Sequence, residues 1–237
     1  MFIGIDLGTS SIKMILIDQN QSILASANSS LAVQSPKDGF SEQNPQEWID
    51  STMECLEALK SKKPKEFSQT ISIGISGQMH GATLIDKDGN VIRPCILWND
   101  TRSYQECEEF EKQNFDVRSI SGNITMPGFT APKINWIKNN EIDNFKKIFK
   151  VLLPKDYLRF VLTGEFFSEM SDASGTLWLD IQKRKWSNQL LSCSFLEEKH
   201  MPDLVEGNEQ TGFLKKDLKV KFNFNNNVKV VGGAGDN

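Results

Sequence analysis

The sequence predicts an α/β domain built on a mixed sheet with helical insertions. Three observations carry this: short β-branched runs joined by polar turns open the chain, a capped amphipathic helix follows them, and single apolar strands return after it and near the end. Three consecutive strands before the first helix fit a mixed sheet better than a doubly wound dinucleotide fold.

Residues 2–7 and 12–18 are isoleucine-rich runs flanking Gly8-Thr9-Ser10-Ser11, the pattern of a hairpin with a polar tip, and a third strand is expected at 22–27. Asn44-Pro45-Gln46-Glu47 offers an N-cap, a proline at the first helical position and a glutamate at the capping-box position. Trp48, Ile49, Met53, Leu56 and Leu59 then recur at helical spacing, which predicts a helix over 45–60. Residues 71–76 read as a short strand and 82–92 as a hairpin turning at Asp88-Gly89. The returning arm, 91–98, leads into polar Asn99-Asp100-Thr101-Arg102. From 103 to about 200 the texture is helical and loop-rich, with helices expected near 103–113, 131–149, 155–163 and 187–199, as in an inserted lobe. A last strand at 228–231 runs into Gly232-Gly233-Ala234-Gly235-Asp236-Asn237.

With 27 basic and 31 acidic residues the net charge is -4, and no block of like charge stands out, so neither a nucleic acid nor an anionic membrane is an expected partner. Cys55, Cys95, Cys107 and Cys193 lie at scattered spacings that suggest neither a zinc site nor a disulfide framework. The absence of a basic leader and of an apolar run of about 18 residues leads to the expectation of a soluble, cytoplasmic protein.

Chemistry first shows in Asp6-Leu7-Gly8-Thr9-Ser10-Ser11-Ile12-Lys13. A tight turn aims backbone N–H groups in one direction, the hydroxyls of Thr9, Ser10 and Ser11 add donors, and Gly8 permits close approach, which suits phosphate oxygens. Asp6 at the strand end is placed to hold Mg2+ directly or through water. An ordinary hairpin turn with a capping aspartate satisfies the same residues. Past the strand at 71–76, Gly77-Gln78-Met79-His80-Gly81 places polar side chains between glycines, where His80 can donate and accept hydrogen bonds to a polyol or be a structural histidine satisfied by backbone. Asp100 and Arg102 admit three readings: an ion pair orienting the loop at 77–81, contact with a ligand bound there, or a solvated helix start capped by Asp100.

Asp6-x-Gly8-Thr9-Ser10-Ser11 between two strands resembles the first phosphate motif of the actin, hexokinase and heat-shock chaperone superfamily, and within it the FGGY carbohydrate kinases. Gly128-Phe129-Thr130-Ala131-Pro132-Lys133-Ile134-Asn135-Trp136-Ile137 is similar to the signature of that family, with Lys133 and Trp136 as packing and capping residues. The segments 152–159 and 170–178 are similar to bacterial xylulokinases, and Gln78-Met79-His80-Gly81 resembles their sugar loop, which in glycerol kinases carries a charged pair instead.

The resemblance implies an actin-like, ribonuclease H-like domain. It implies ATP-dependent phosphorylation of D-xylulose, or a similar ketose, to its 5-phosphate with Mg2+. Gly8, Thr9, Ser10, Ser11 and Lys13 would meet the nucleotide phosphates, Asp6 the metal, and Gln78, Met79, His80, Asp236 and Asn237 the sugar. Asp236 matches the catalytic base of a Gly-Gly-Gly-Asp motif, although a terminal Gly-Asp-Asn would otherwise read as a frayed tail. Ala234 departs from the motif, and a left-handed backbone there would cost roughly 1–2 kcal/mol. Another FGGY sugar or polyol kinase, or a non-catalytic sugar-binding module, remains the alternative. Relatives of this kind are about twice as long. The C-terminal, adenosine-binding domain is therefore expected to be missing and the chain alone to lack turnover, with a homodimer the one further partner the resemblance allows.

Overall fold

The computed structural model describes residues 1–236. Strands β1 (Phe2–Leu7), β2 (Ser11–Ile17) and β3 (Ile23–Ser30) form an antiparallel meander, with Leu7 opposite Ile12 at the first turn. On the other side of β1, β4 (Ser72–Gly77) runs parallel to it, from Phe2 opposite Ser72 to Leu7 opposite Gly77. The edge is built by β5 (Gln210–Phe213), antiparallel to β6 (Lys229–Val231), which is parallel to β4. Beyond Val231 the chain leaves β4 and rejoins it as β7 (Ala234–Gly235), Ala234 opposite Ser76. Between the pairs Ile73–Val230 and Ser76–Ala234 there are three residues on this side and two on β4, a one-residue bulge at the glycines.

Alternation along β1 sends Ile3, Ile5 and Leu7 to a covered face and Gly4 and Asp6 to an open one. The covered face packs on two helices, α1 (Pro45–Lys62) through Trp48, Leu56 and Leu59 and α2 (Pro154–Thr163) through Tyr157, Leu158 and Leu162. α1 begins where its cap residues place it, with the Asn44 side chain accepting from the Gln46 amide and Pro45 in the first turn. A second core, around Phe110, Ile134, Trp178 and Leu190, fills the lobe inserted between β4 and β5. Among the described residues, no helix is long and apolar enough to cross a membrane.

Several expected elements differ. The helix expected over 131–149 is two, Thr130–Asn140 and Ile142–Phe145, parted at Glu141 after two asparagines of low helix propensity, and Lys150–Leu152 is a strand. That strand, rather than residues 91–98, is the main partner of Thr83–Ile85, although the expected turn forms, with Gly89 left-handed and bridges joining Ile85 to Val91 and Ala82 to Ile96. Cys95–Ile96 pairs instead with Glu42–Gln43. The helix expected over 187–199 shrinks to Asn188–Ser192 and a 3-10 turn at Glu198–His200, separated by left-handed Phe195.

Candidate active site

The β1–β2 tip closes through the Gly8 amide, which donates to the Ser11 carbonyl at 3.1 Å. Thr9 turns inward: its hydroxyl donates to Gln78 Oε1 at 3.1 Å and accepts from Trp98 Nε1 at 3.0 Å. Beneath it, fully buried Gln43 donates to the Thr9 carbonyl at 2.6 Å, while its Oε1 accepts from Trp48 Nε1 and Gln78 Nε2. Gln78 therefore spends both ends of its amide inside this chain of bonds, which ties the tip to the loop after β4. Ser10 is exposed at the tip, and Ser11 starts β2 opposite Ser30. Lys13 and Asp6 are cross-strand neighbours on the open face, where a cleft of about 410 Å³ also reaches Gly4, Gly74, Ser76 and Ala234. The Ser76 hydroxyl donates to Asp6 Oδ1 at 3.3 Å. Among the described residues no group of three or more His, Cys, Asp or Glu side chains is arranged to hold a metal ion.

After β4, His80 adopts a left-handed backbone (φ 62°). Its Nδ1 faces the Gly175 carbonyl at 2.8 Å and must donate to it, which leaves Nε2 as an acceptor. The expectation of a backbone-satisfied histidine thus holds for one nitrogen. Lys133, fully buried, donates from Nζ to the His80 carbonyl at 2.9 Å and to the Gly128 carbonyl at 2.7 Å, so it shapes the loop after β4 through backbone oxygens. Burial pushes its ammonium down to about 7. His80 is pushed down to about 4, mainly by burial and then by Lys133, against the bond to Gly175.

A histidine lowered in this way is protonated in the unfolded chain before the folded one. Its contribution to stability is complete above about 6.5 and is lost as pH falls toward about 4. Over that interval the parent's denaturant midpoint should fall relative to that of His80→Asn, a replacement that tolerates the left-handed backbone. Equal drops in both proteins would mean that His80 is not the group responsible.

Two adjoining cavities flank this loop. One, of about 230 Å³, is lined by Thr9, Gln78, Met79, Trp98 and Asp236. The other, of about 310 Å³, shares Met79 and Trp98 and extends to His80, Met126 and Phe129. Asp236 is exposed, and its amide donates to the Gly77 carbonyl at 3.1 Å. The left-handed position of its loop is Gly233 (φ 77°), where a Cβ would lie 1.8 Å from the Ile75 carbonyl oxygen. Ala234 is a strand residue outside the left-handed region, so the strain anticipated there is absent. Asn237 lies outside the described residues.

Asp100 is no solvated cap. It is buried, accepts from the Ser41 amide at 2.6 Å and pairs with Arg102 at 2.7 Å, while Arg102 also reaches Glu42 at 2.7 Å and lies over the Phe40 ring. Among the alternatives the ion pair is realised, and Trp136 flanks the same guanidinium at 4.9 Å.

Beneath the Asp236 loop lies a dry group of charges that the sequence did not announce. α2 contributes Lys155, Asp156 and Arg159, and the strand Phe167–Glu169 with the short helix α3 (Met170–Ser174) contributes Glu169 and Asp172. Lys155 Nζ is 2.8 Å from Asp156 Oδ1 and 3.0 Å from Asp172 Oδ2. Arg159 pairs with Asp156 at 3.0 Å and also donates to the Phe167 carbonyl and the Gly232 carbonyl. Glu169 Oε1 accepts from the Gly235 amide at 3.0 Å and from the Asp172 amide at 2.8 Å. Burial pushes Asp172 up to about 7 against the pull of Lys155, whereas Lys155 is held above its ordinary value because Asp156 and Asp172 outweigh its own burial.

Comparison with known proteins agrees with this geometry. The N-terminal domain of the FGGY family of carbohydrate kinases matches residues 1–237. The chain is 46% identical over 237 residues to a xylulose kinase of Escherichia coli (strain K12), covering 100% of itself and 48% of that protein. It is 41% identical over 236 residues to a xylulose kinase of Bacillus subtilis (strain 168), covering 99% of itself and 47% of the relative. A crystal structure of a xyloylose kinase from Brucella ovis superposes with a TM-score of 0.97 at 52% identity, over 99% of this chain and 48% of the other. The chain thus spans about half the length of the relatives it matches. Its fold is the actin-like, ribonuclease H-like α/β domain with helical insertions that the first phosphate motif implied. With the N-terminal domain matched from end to end, the chain belongs to the FGGY family of carbohydrate kinases.

Proposed function

We propose that this chain is the sugar-binding half of an ATP-dependent kinase that converts D-xylulose to D-xylulose 5-phosphate. One observation carries the reading: Thr9 of the phosphate loop, Gln78 and Met79 of the sugar loop and Asp236 line a single cavity. Phosphoryl transfer needs a hydroxyl, a proton acceptor and the γ-phosphate in one place, and few other chemistries need all three. In the proposed step the 5-hydroxyl oxygen bonds to the γ-phosphorus, the bond from that phosphorus to the bridging oxygen of ADP breaks, and the hydroxyl proton passes to the Asp236 carboxylate. Met79 and Trp98 give the sugar an apolar wall, and His80 Nε2 offers an acceptor to a hydroxyl.

Asp6, a single carboxylate beside a cleft, fits Mg2+, which keeps several waters and takes its other oxygens from phosphates. Bound there with the nucleotide, the ion would neutralise charge on the transferring group. Gly8, Ser10, Ser11 and Lys13 flank the same tip and would meet the phosphates, whereas Thr9 and Gln78 act through the bonds that fix the tip's shape.

A panel of ketoses, aldoses and polyols assayed with the full-length enzyme tests the substrate, and a preference for glycerol or gluconate would overturn it. In the same enzyme His80→Ala should weaken sugar binding by about 1–3 kcal/mol and leave ATP affinity nearly unchanged. Titration calorimetry with each ligand reads both quantities, and unaltered sugar affinity would take His80 out of the pocket.

A further inference from the structure

We infer that the buried charges on α2 and α3 are a positioning device for Asp236, with Arg159 and Glu169 gripping its loop from either side of Gly233 and Ala234. The inference rests on the reading of Asp236 as the base.

Three carboxylates, Asp156, Glu169 and Asp172, meet two cations, Lys155 and Arg159, with every side chain at most 4% exposed. Such an arrangement is a poor way to gain stability, because desolvation cancels much of the attraction and an apolar packing of the same volume does as well. What it offers is directed hydrogen bonding. Arg159 binds the Gly232 carbonyl, within the bulge, and Glu169 the Gly235 amide, in the residue before Asp236. Asp172 lies flush beneath Gly235, where a Cβ would come within 2.9 Å of the Asp172 Cβ. Lys155 lies equally close beneath Gly77, where a Cβ would be 3.2 Å from the Lys155 Cβ, and Gly77 opens the sugar loop and accepts from the Asp236 amide. One rigid block therefore underlies both the base and the residues that face the sugar. Misplacement of a reacting group by about 1 Å can cost on the order of 100-fold in rate, so the grip matters for turnover beyond its effect on folding.

The test uses the full-length enzyme. Glu169→Ala removes the shorter of the two bonds made by the Gly235 amide, leaving it the Ser171 hydroxyl at 3.4 Å, and kcat should fall about 10- to 100-fold while KM for sugar and for ATP stays within about 3-fold. Glu169→Gln, which keeps one oxygen for that amide, should recover most of the loss. In an Asp236→Asn background Glu169→Ala should change the residual kcat by less than about 2-fold, because it acts through the missing carboxylate. An equal fall in both backgrounds would mark a general structural effect and overturn the inference. Should Glu169→Ala not fold, Arg159→Lys asks the same question from the other side, since it keeps the charge and loses the nitrogen that reaches Gly232. Amide hydrogen exchange at Gly235 should quicken in the Glu169→Ala enzyme, and unchanged exchange would show that the cluster does not hold the loop. Near-normal turnover of Asp236→Asn alone would sink the base assignment instead, so the two failures are read by different measurements.

Discussion

Asp236→Asn in the full-length enzyme is expected to lower turnover by about 100-fold or more while sugar still binds. The substitution keeps the shape of the side chain and removes the proton acceptor. It leaves the loop's anchors intact, because Arg159 and Glu169 hold the backbone of Gly232 and Gly235 and the Asp236 amide still reaches the Gly77 carbonyl. Steady-state kcat beside a calorimetric sugar affinity makes the comparison. Turnover within a few-fold of the parent would move the base elsewhere, and lost sugar binding would show that the carboxylate orients the substrate more than it takes its proton.

Lys155→Met should destabilise the fold by about 3–5 kcal/mol, because it leaves Asp172 buried without its cation and Asp156 with Arg159 alone. For a domain of this size that corresponds to a melting point lower by on the order of 10 °C. Asp172 already sits at about 7, well above the 3.8 of a free aspartate, so its charge is a burden that grows as pH rises through 7 and vanishes below 3.8. The variant should accordingly regain stability as pH is lowered from 7 to 5, and adding Asp172→Asn should restore part of the loss at neutral pH. A loss below about 1 kcal/mol, or one that does not respond to pH, would mean that water or a rearranged Arg159 replaces the lysine.

The parts of this fold legible in the sequence are those whose signals are local. The β1–β2 hairpin and α1 announce themselves through alternation, a polar tip and an Asn-Pro cap, all within a few residues. Two- and three-residue strands such as Glu42–Gln43 and Lys150–Leu152 are too short to show a period, and their partners lie more than 50 residues away. Asp100 illustrates the same limit, since the amide of Ser41 that buries it is invisible from the neighbourhood of Trp98 and Arg102. The segments 8–11 and 77–81 stand out as polar segments beside glycine at strand ends. Gln43, which joins them, does not, because an amide before a helix has no local mark of function. Nothing in the local sequence marks Lys155, Asp156 and Arg159 as buried, and only the arrival of Glu169 and Asp172 makes an interior of that face of α2.

The extra residue at Gly232-Gly233 sets the phase of everything after it. Val230 faces the core beside Ile73, and an unbroken strand would carry residues 232, 234 and 236 to that same side. The insertion inverts the alternation: Ala234 comes out opposite Ser76 on the open face, and Gly235 turns inward against Asp172. Parity then directs the Asp236 side chain away from a place that already holds three carboxylates. Were these same residues paired without the bulge, Ala234 would fall opposite Gly77 and the carboxylate of Asp236 would turn toward Asp172, so the bulge, more than the composition of the glycine run, decides which way the acid points.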